Sequence, residues 1–211
     1  MPMENHKVMA MDEEKRERVI NAALTEFCKG YKHASTDTIV KEAGISKGLL
    51  YHYFGTKKEL LFFLYEYVME VMHRDFISQL DFKESDLLER LWKMVAVKMA
   101  LSYKYPAIFD FIAVIFLGGE DELSEVSGKL RAAYETGWDY NNQIFGNIDY
   151  SYFKEGLDVQ KAIEVIRWTL TGFSEKILKD FRTVKAYQAE YETIREQIKS
   201  YIDFFRTTFY K

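Results

Sequence analysis

Residues 39–61, IVKEAGISKGLLYHYFGTKKELL, decide how the N-terminal part of this chain folds. Ile39, Val40 and Ala43 give a short helix one apolar face. Gly44 follows, a residue that accepts the left-handed backbone needed to stop a helix and turn sharply. Ser46 is placed to accept a backbone N–H at the start of a second short helix, Lys47 to Phe54. That helix carries Lys47, Tyr51, His52 and Tyr53. Two short helices around a glycine turn make a helix-turn-helix pattern, in which the second helix enters the major groove of DNA.

Working outward, a first helix is predicted from about Asp12 to Lys29, with Val19, Ile20, Ala23, Leu24 and Phe27 on one face. Asp12, Glu13 and Glu14 suit its start and Gly30 its end. Ser35 or Thr36 opens the next helix. On the other side, Gly55-Thr56 reopens the chain, and Thr56 can cap a long fourth helix reaching roughly Gln79. That helix is the natural lever between this module and the rest. Residues 1–11 are expected to be a loose tail.

The remainder contains five or six further helical segments: Asp86–Tyr105, an apolar helix opening at Pro106 and closing at Gly118-Gly119, Glu122–Phe145, Asp158–Phe181 and Ala189–Phe209. Two prolines and eleven glycines in 211 residues leave room for long helices and argue against a many-stranded fold. The expected class is all-α with about nine helices. The single Cys28 excludes an intrachain disulfide and fits a reducing compartment. No signal peptide is visible, and the richest apolar run, Ile108 to Leu117, is too short to span a bilayer. A cytoplasmic protein without a membrane anchor is expected.

A net charge of −4 does not suggest a nucleic-acid partner, but its distribution does. Within residues 29–58, Lys29, Lys32, Lys41, Lys47, Lys57 and Lys58 face only Asp37 and Glu42, a local charge of +4. The basic character is focal, as a groove-docking module requires.

The extended pattern from RERVINAALTEFCKGY through STDTIVKEAGISKGLLYHYFGTKKELL, residues 16–61, closely resembles the DNA-binding region of the TetR family of bacterial transcriptional regulators. The resemblance implies a three-helix DNA-binding domain over residues 12–57 and a larger helical effector-binding and dimerisation domain over 58–211. It implies a double-stranded DNA operator, a small-molecule effector and a homodimer as partners. By the same resemblance Lys47, Gly48, Leu49 and His52 face the bases. The resemblance further implies that Tyr51, Tyr53, Thr36 and Lys57 contact the DNA backbone. The chemistry agrees: a lysine at the helix start can donate to guanine O6/N7, and Leu49 can touch a thymine methyl. Phe54 is assigned to packing. The family usually has Ala where Val40 stands, and Asp37 occupies a place where some members carry a base-contacting cation.

Trp92, Tyr103, Phe109, Phe116, Tyr134 and Trp138 lie on helices that the resemblance places around an effector cavity suited to an apolar or amphipathic molecule. Aromatics at helical spacing are usually core residues, and that is the ordinary reading of each one singly. In the last two long helices Trp168, Phe173, Ile177, Ile198, Ile202 and Phe205 belong to surfaces too apolar for a single neighbour, and the resemblance implies that they pair with a second subunit. The four histidines show no metal-ligand spacing, and no phosphate loop or nucleophile elbow is present, so neither enzyme activity nor a cofactor is expected. The functional expectation is a ligand-responsive regulator, most simply a repressor released from a palindromic operator. The alternative is a helical interaction module for a protein or lipid without operator binding.

Overall fold

The computed structural model describes residues 7–117 and 140–211. Among the described residues there are ten α-helices and no strand: α1 (Glu13–Phe27), α2 (Thr36–Ala43), α3 (Lys47–Phe54), α4 (Lys57–Asp75), α5 (Leu87–Lys104), α6 (Pro106–Leu117), α7 (Tyr140–Phe145), α8 (Val159–Asp180), α9 (Val184–Ala189) and α10 (Tyr191–Phe209). The all-α expectation holds. The short α9 adds to the predicted elements, and of the helix expected over Glu122–Phe145 only α7 lies within the described residues.

The helix ends follow from local chemistry. Asp12, Ser35, Ser46 and Asp158 each accept a backbone N–H three residues on and so cap α1, α2, α3 and α8. α2 stops because Gly44 takes φ 67°, the left-handed region. At the start of α4 the Thr56 Oγ accepts from the Glu59 N–H at 3.2 Å, and the Glu59 carboxylate accepts from the Thr56 N–H at 2.7 Å. This reciprocal capping box leaves no space at Gly55, where φ is 71° and an added Cβ would collide with the Glu59 carboxylate.

The chain forms two compact units, and it crosses between them more than once. The first comprises residues 7–74 together with 105–117. Val19, Ile20, Ala23, Leu24 and Phe27 of α1 meet Ile39 and Ala43 of α2, Leu50 and Phe54 of α3, and Leu60, Leu61 and Leu64 of α4 in one core. Ile108 and Phe111 of α6 belong to the same core, being 2% and 1% exposed. Residues 7–11, expected within a loose tail, are ordered: Lys7–Ala10 makes a 3-10 turn, and Val8 and Met11 are buried in this core. Apolar side chains at those two positions find a dry site, which outweighs the polarity of their neighbours.

The second unit comprises residues 75–104 and the described part of the chain from 140 onward. Its organising group is Arg90, which is 2% exposed. Its guanidinium donates to the backbone carbonyls of Ile144 and Gly146, both at 2.7 Å, of Gln143 and Asn147, both at 3.3 Å, and of Phe82 and Glu84 on the chain before α5. One buried fork thereby satisfies carbonyls that the end of α7 cannot satisfy internally. The C-terminus is held by Tyr210, whose hydroxyl donates to the Asp86 carboxylate at 3.0 Å, and Asp86 in turn accepts from the Leu88 N–H at 2.9 Å. α8 and α10 share a smaller core of Phe173, Ile177 and Ile194.

Candidate nucleic-acid interface

α3 is an amphipathic helix with a narrow dry side. Leu50 and Phe54 point into the core, where the Phe54 ring meets Phe63 edge-on at 5.0 Å. Phe54 is therefore a packing residue, as expected. Lys47, Gly48, Tyr51 and His52 are exposed, and Leu49 and Tyr53 are half-buried. All of the proposed base-facing positions thus lie on the part of α3 away from the core or at its margin.

The first turn of α2 runs beside this surface and is tied to it twice. Thr36 Oγ lies 3.3 Å from the Tyr51 hydroxyl. Lys47 Nζ lies 2.7 Å from the Asp37 carboxylate, and this hydrogen bond holds the ammonium above its ordinary pKa range. Thr36 and Tyr51, two expected backbone-contacting hydroxyls, are therefore neighbours. Lys57 sits at the start of α4 with its Nζ 4.6 Å from the centre of the Tyr31 ring, which stacks on Phe27. The His52 ring meets Tyr53 edge-on at 5.0 Å.

A Cβ built on Gly48 would meet nothing within 4 Å. The free protein therefore has no packing reason for glycine there, while an approaching backbone or base would gain room from it.

Three residues that sequence reasoning passed over position this surface. Glu26, 4% exposed, accepts from the Ser35 N–H at 3.1 Å and from the Lys29 ammonium. Burial pushes its carboxyl pKa up, but these hydrogen bonds and the Lys29 charge bring the net shift below the usual carboxylate range. Arg18 donates to the Ala43 carbonyl at 3.4 Å, linking α1 to the end of α2. Tyr31 supplies the platform under Lys57. Each acts across a break between helices, which helical periodicity does not report. Cys28 is partly buried, its thiol pushed up to about 12 by burial, which suits a packing role.

The remaining expected site residues are distributed as follows. Trp92 is half-buried under the Arg195 guanidinium at 5.3 Å, Tyr103 is 62% exposed, and Phe109 is half-buried on α6. The Phe116 side chain, Tyr134 and Trp138 lie outside the described residues. Of the expected partner-facing residues, Trp168 is exposed, whereas Phe173, Ile177, Ile202 and Phe205 are buried within the chain and Ile198 packs on the α8–α10 core. Besides Trp168, the exposed apolar residues of these two helices are Val165, Tyr201 and Phe204. The signal that could have found them is an apolar set out of phase with each helix's main stripe. Among the described residues no helix is long and apolar enough to cross a membrane, and no group of His, Cys, Asp or Glu is arranged to hold a metal ion.

Residues 19–63, which hold every proposed DNA-contacting side chain, match the family described as bacterial regulatory proteins, tetR family. The chain is 30% identical over 125 residues to the uncharacterized HTH-type transcriptional regulator TtgW of Pseudomonas putida, covering 59% of this chain and 89% of that one. The chain belongs to the TetR family. A second relative, the HTH-type transcriptional regulator SrpR of Pseudomonas putida, is 29% identical over 168 residues, covering 79% of this chain and 76% of that one. A TetR family transcriptional regulator from Chloroflexus aurantiacus has the same fold, with a TM-score of 0.63 at 22% identity and 97% of each chain covered. As a TetR-family member the chain is a DNA-binding transcriptional regulator, with α2 and α3 as its helix-turn-helix.

Proposed function

We propose that the protein is a cytoplasmic, ligand-responsive repressor, not an enzyme, which holds a palindromic operator as a homodimer and leaves it when a small apolar or amphipathic effector binds. The observation that carries this reading is the composition of the exposed side of α3. It presents a lysine, a contact-free glycine, a leucine and a histidine for base edges, with Tyr51, Thr36, Tyr53 and Lys57 around them for phosphates. One short helix reads few bases, so two copies about 34–36 Å apart are needed for a specific site. The apolar, solvent-facing Val165, Trp168, Tyr201 and Phe204 supply a surface for the second copy.

The division of labour keeps residues 12–57 for DNA and residues 58–211 for effector and partner, although α6, within the latter, completes the core of the former. Trp92, Tyr103, Phe109, Phe116, Tyr134 and Trp138 are the candidates for the effector's aromatic surroundings. Release then follows from population shift. The effector must bind better to a state in which the two reading heads no longer match consecutive major grooves. The test is gel retardation and footprinting with DNA from the gene's own upstream region. A symmetric protected site is expected; absence of specific binding by the folded dimer at moderate salt overturns the proposal.

A further inference from the structure

α5 packs through a stripe of Leu87, Leu91, Met94, Val95, Leu101 and Ser102, all of them buried. Lys98, itself half-buried, falls in phase with that stripe, three or four residues from Met94, Val95, Leu101 and Ser102. The other lysines towards either end of α5 behave as surface lysines do: Lys93 pairs with Glu84 at 2.8 Å and Lys104 with Asp75 at 2.9 Å. Lys98 makes no ion pair or hydrogen bond among the described residues. Its Nζ lies 5.9 Å from the centre of the Phe76 ring, which is itself only 2% exposed. A lysine that merely snorkels carries its head out to water; this one carries it to a buried aromatic ring. Burial lowers its pKa, and no carboxylate among the described residues opposes that.

An ammonium in this setting lowers stability unless an anion joins it, and a methionine would fill the same space without that penalty. We propose that Lys98 anchors the acid group of the regulatory ligand, which is therefore an apolar organic molecule carrying an oxyanion such as a carboxylate or sulfonate. The proposal rests on the ligand-responsive reading above and narrows its effector from apolar or amphipathic to amphipathic and anionic. Phe76 supplies an apolar wall beside the charge, and Met94, one turn away, is unbranched enough to repack around a guest.

The test uses two fluorescent probes with one aromatic body, 8-anilino-1-naphthalenesulfonate and its uncharged counterpart N-phenyl-1-naphthylamine, titrated into the full-length protein. Lys98→Met is expected to weaken the sulfonate by about tenfold or more, because the charge pair is desolvated. It should leave the neutral probe within about twofold, and Lys98→Arg should retain the sulfonate. Lys98→Gln is measured in parallel, and both neutral variants should melt at or above the wild-type temperature. Equal weakening of both probes, an unchanged sulfonate affinity, or a lowered melting temperature in both neutral variants overturns the anchor. Neutral-probe binding with a sulfonate indifferent to Lys98 overturns the anchor alone. Failure of the wild type to bind either probe saturably counts against the ligand-responsive reading as well.

Discussion

The Lys47 ammonium lies 2.7 Å from the Asp37 carboxylate, so the first residue of the recognition helix is already paired before DNA arrives. Both groups are solvent-exposed, with 48% and 74% of their side chains accessible, and the pair is open to competition from phosphate or base. Asp37 thus places a negative charge on the very surface proposed to meet a polyanion. Asp37→Asn is expected to raise affinity for non-specific DNA by roughly threefold to tenfold at low salt and to steepen the salt dependence by about one counterion. Specific affinity should rise less, so discrimination falls. Fluorescence anisotropy with operator and scrambled duplexes over a salt series measures both; equal gains on the two duplexes would show that Asp37 has no part in specificity.

Gly48 is the position where folding and the proposed function are expected to separate. Replacing it with Ala should stabilise α3 by about 0.5–1 kcal/mol, since glycine is a poor helix former and no neighbour obstructs the new methyl. A melting temperature higher by about 1–4 °C would follow for a chain of this length. Operator affinity should nonetheless fall, and Gly48→Leu should abolish specific retardation while leaving the circular dichroism spectrum intact.

Glu26 is expected to make the head sensitive to acid. Its net pKa is lowered in the folded state by the hydrogen bonds from Lys29 and Ser35. The stability it contributes is therefore fully present above the unfolded carboxylate value, about 4.3, and is lost as pH falls through the lower folded value. Glu26→Gln should cost about 1–3 kcal/mol at neutral pH and bring the stability difference from wild type towards zero in acid. Urea melts at pH 7 and near pH 3 would show it; a constant difference would mean that the carboxylate charge is irrelevant.

The two apolar faces of the last helices can be told apart by substitution. Trp168→Asp and Phe204→Asp, at positions 64% and 59% exposed, should shift sedimentation towards monomer at unchanged helicity. Phe205→Ala, at a position 1% exposed, should instead lower chain stability by about 3–5 kcal/mol. If the Asp variants sediment as wild type does, the dimer surface lies elsewhere.

Much of this architecture was legible because its causes act over short stretches of chain. Ser46, Thr56, Gly44 and Gly55 set helix ends through groups within a turn of themselves, and the stripes of α1 and α8 follow from periodicity alone. The exposed side of α3 was legible for the same reason. What escaped depends on partners distant in sequence. Arg90 looks like any charged helix residue until the end of α7 delivers the carbonyls it serves. The Asp37–Lys47 pair bridges two helices, and Val8 is buried only because a core forms beside it. Within α8 and α10 the dominant stripe proved to be the internal one, leaving Val165, Tyr201 and Phe204 as the outward set that periodicity ranks second.

The membership of Ile108 and Phe111 in the core of the DNA-binding unit has a consequence for how the protein is made. On the ribosome, α1 to α4 emerge first, yet the hydrophobic surface they form stays open while the whole of α5 is translated. The core of the reading head is complete only after α6 has followed. A graft ending at residue 75 would carry every proposed DNA-contacting side chain and still lack the helix that seals the site's foundation. Swapping operator specificity between relatives should therefore move residues 7–75 together with the inward face of α6, or exchange single exposed residues of α3 and leave the foundation untouched.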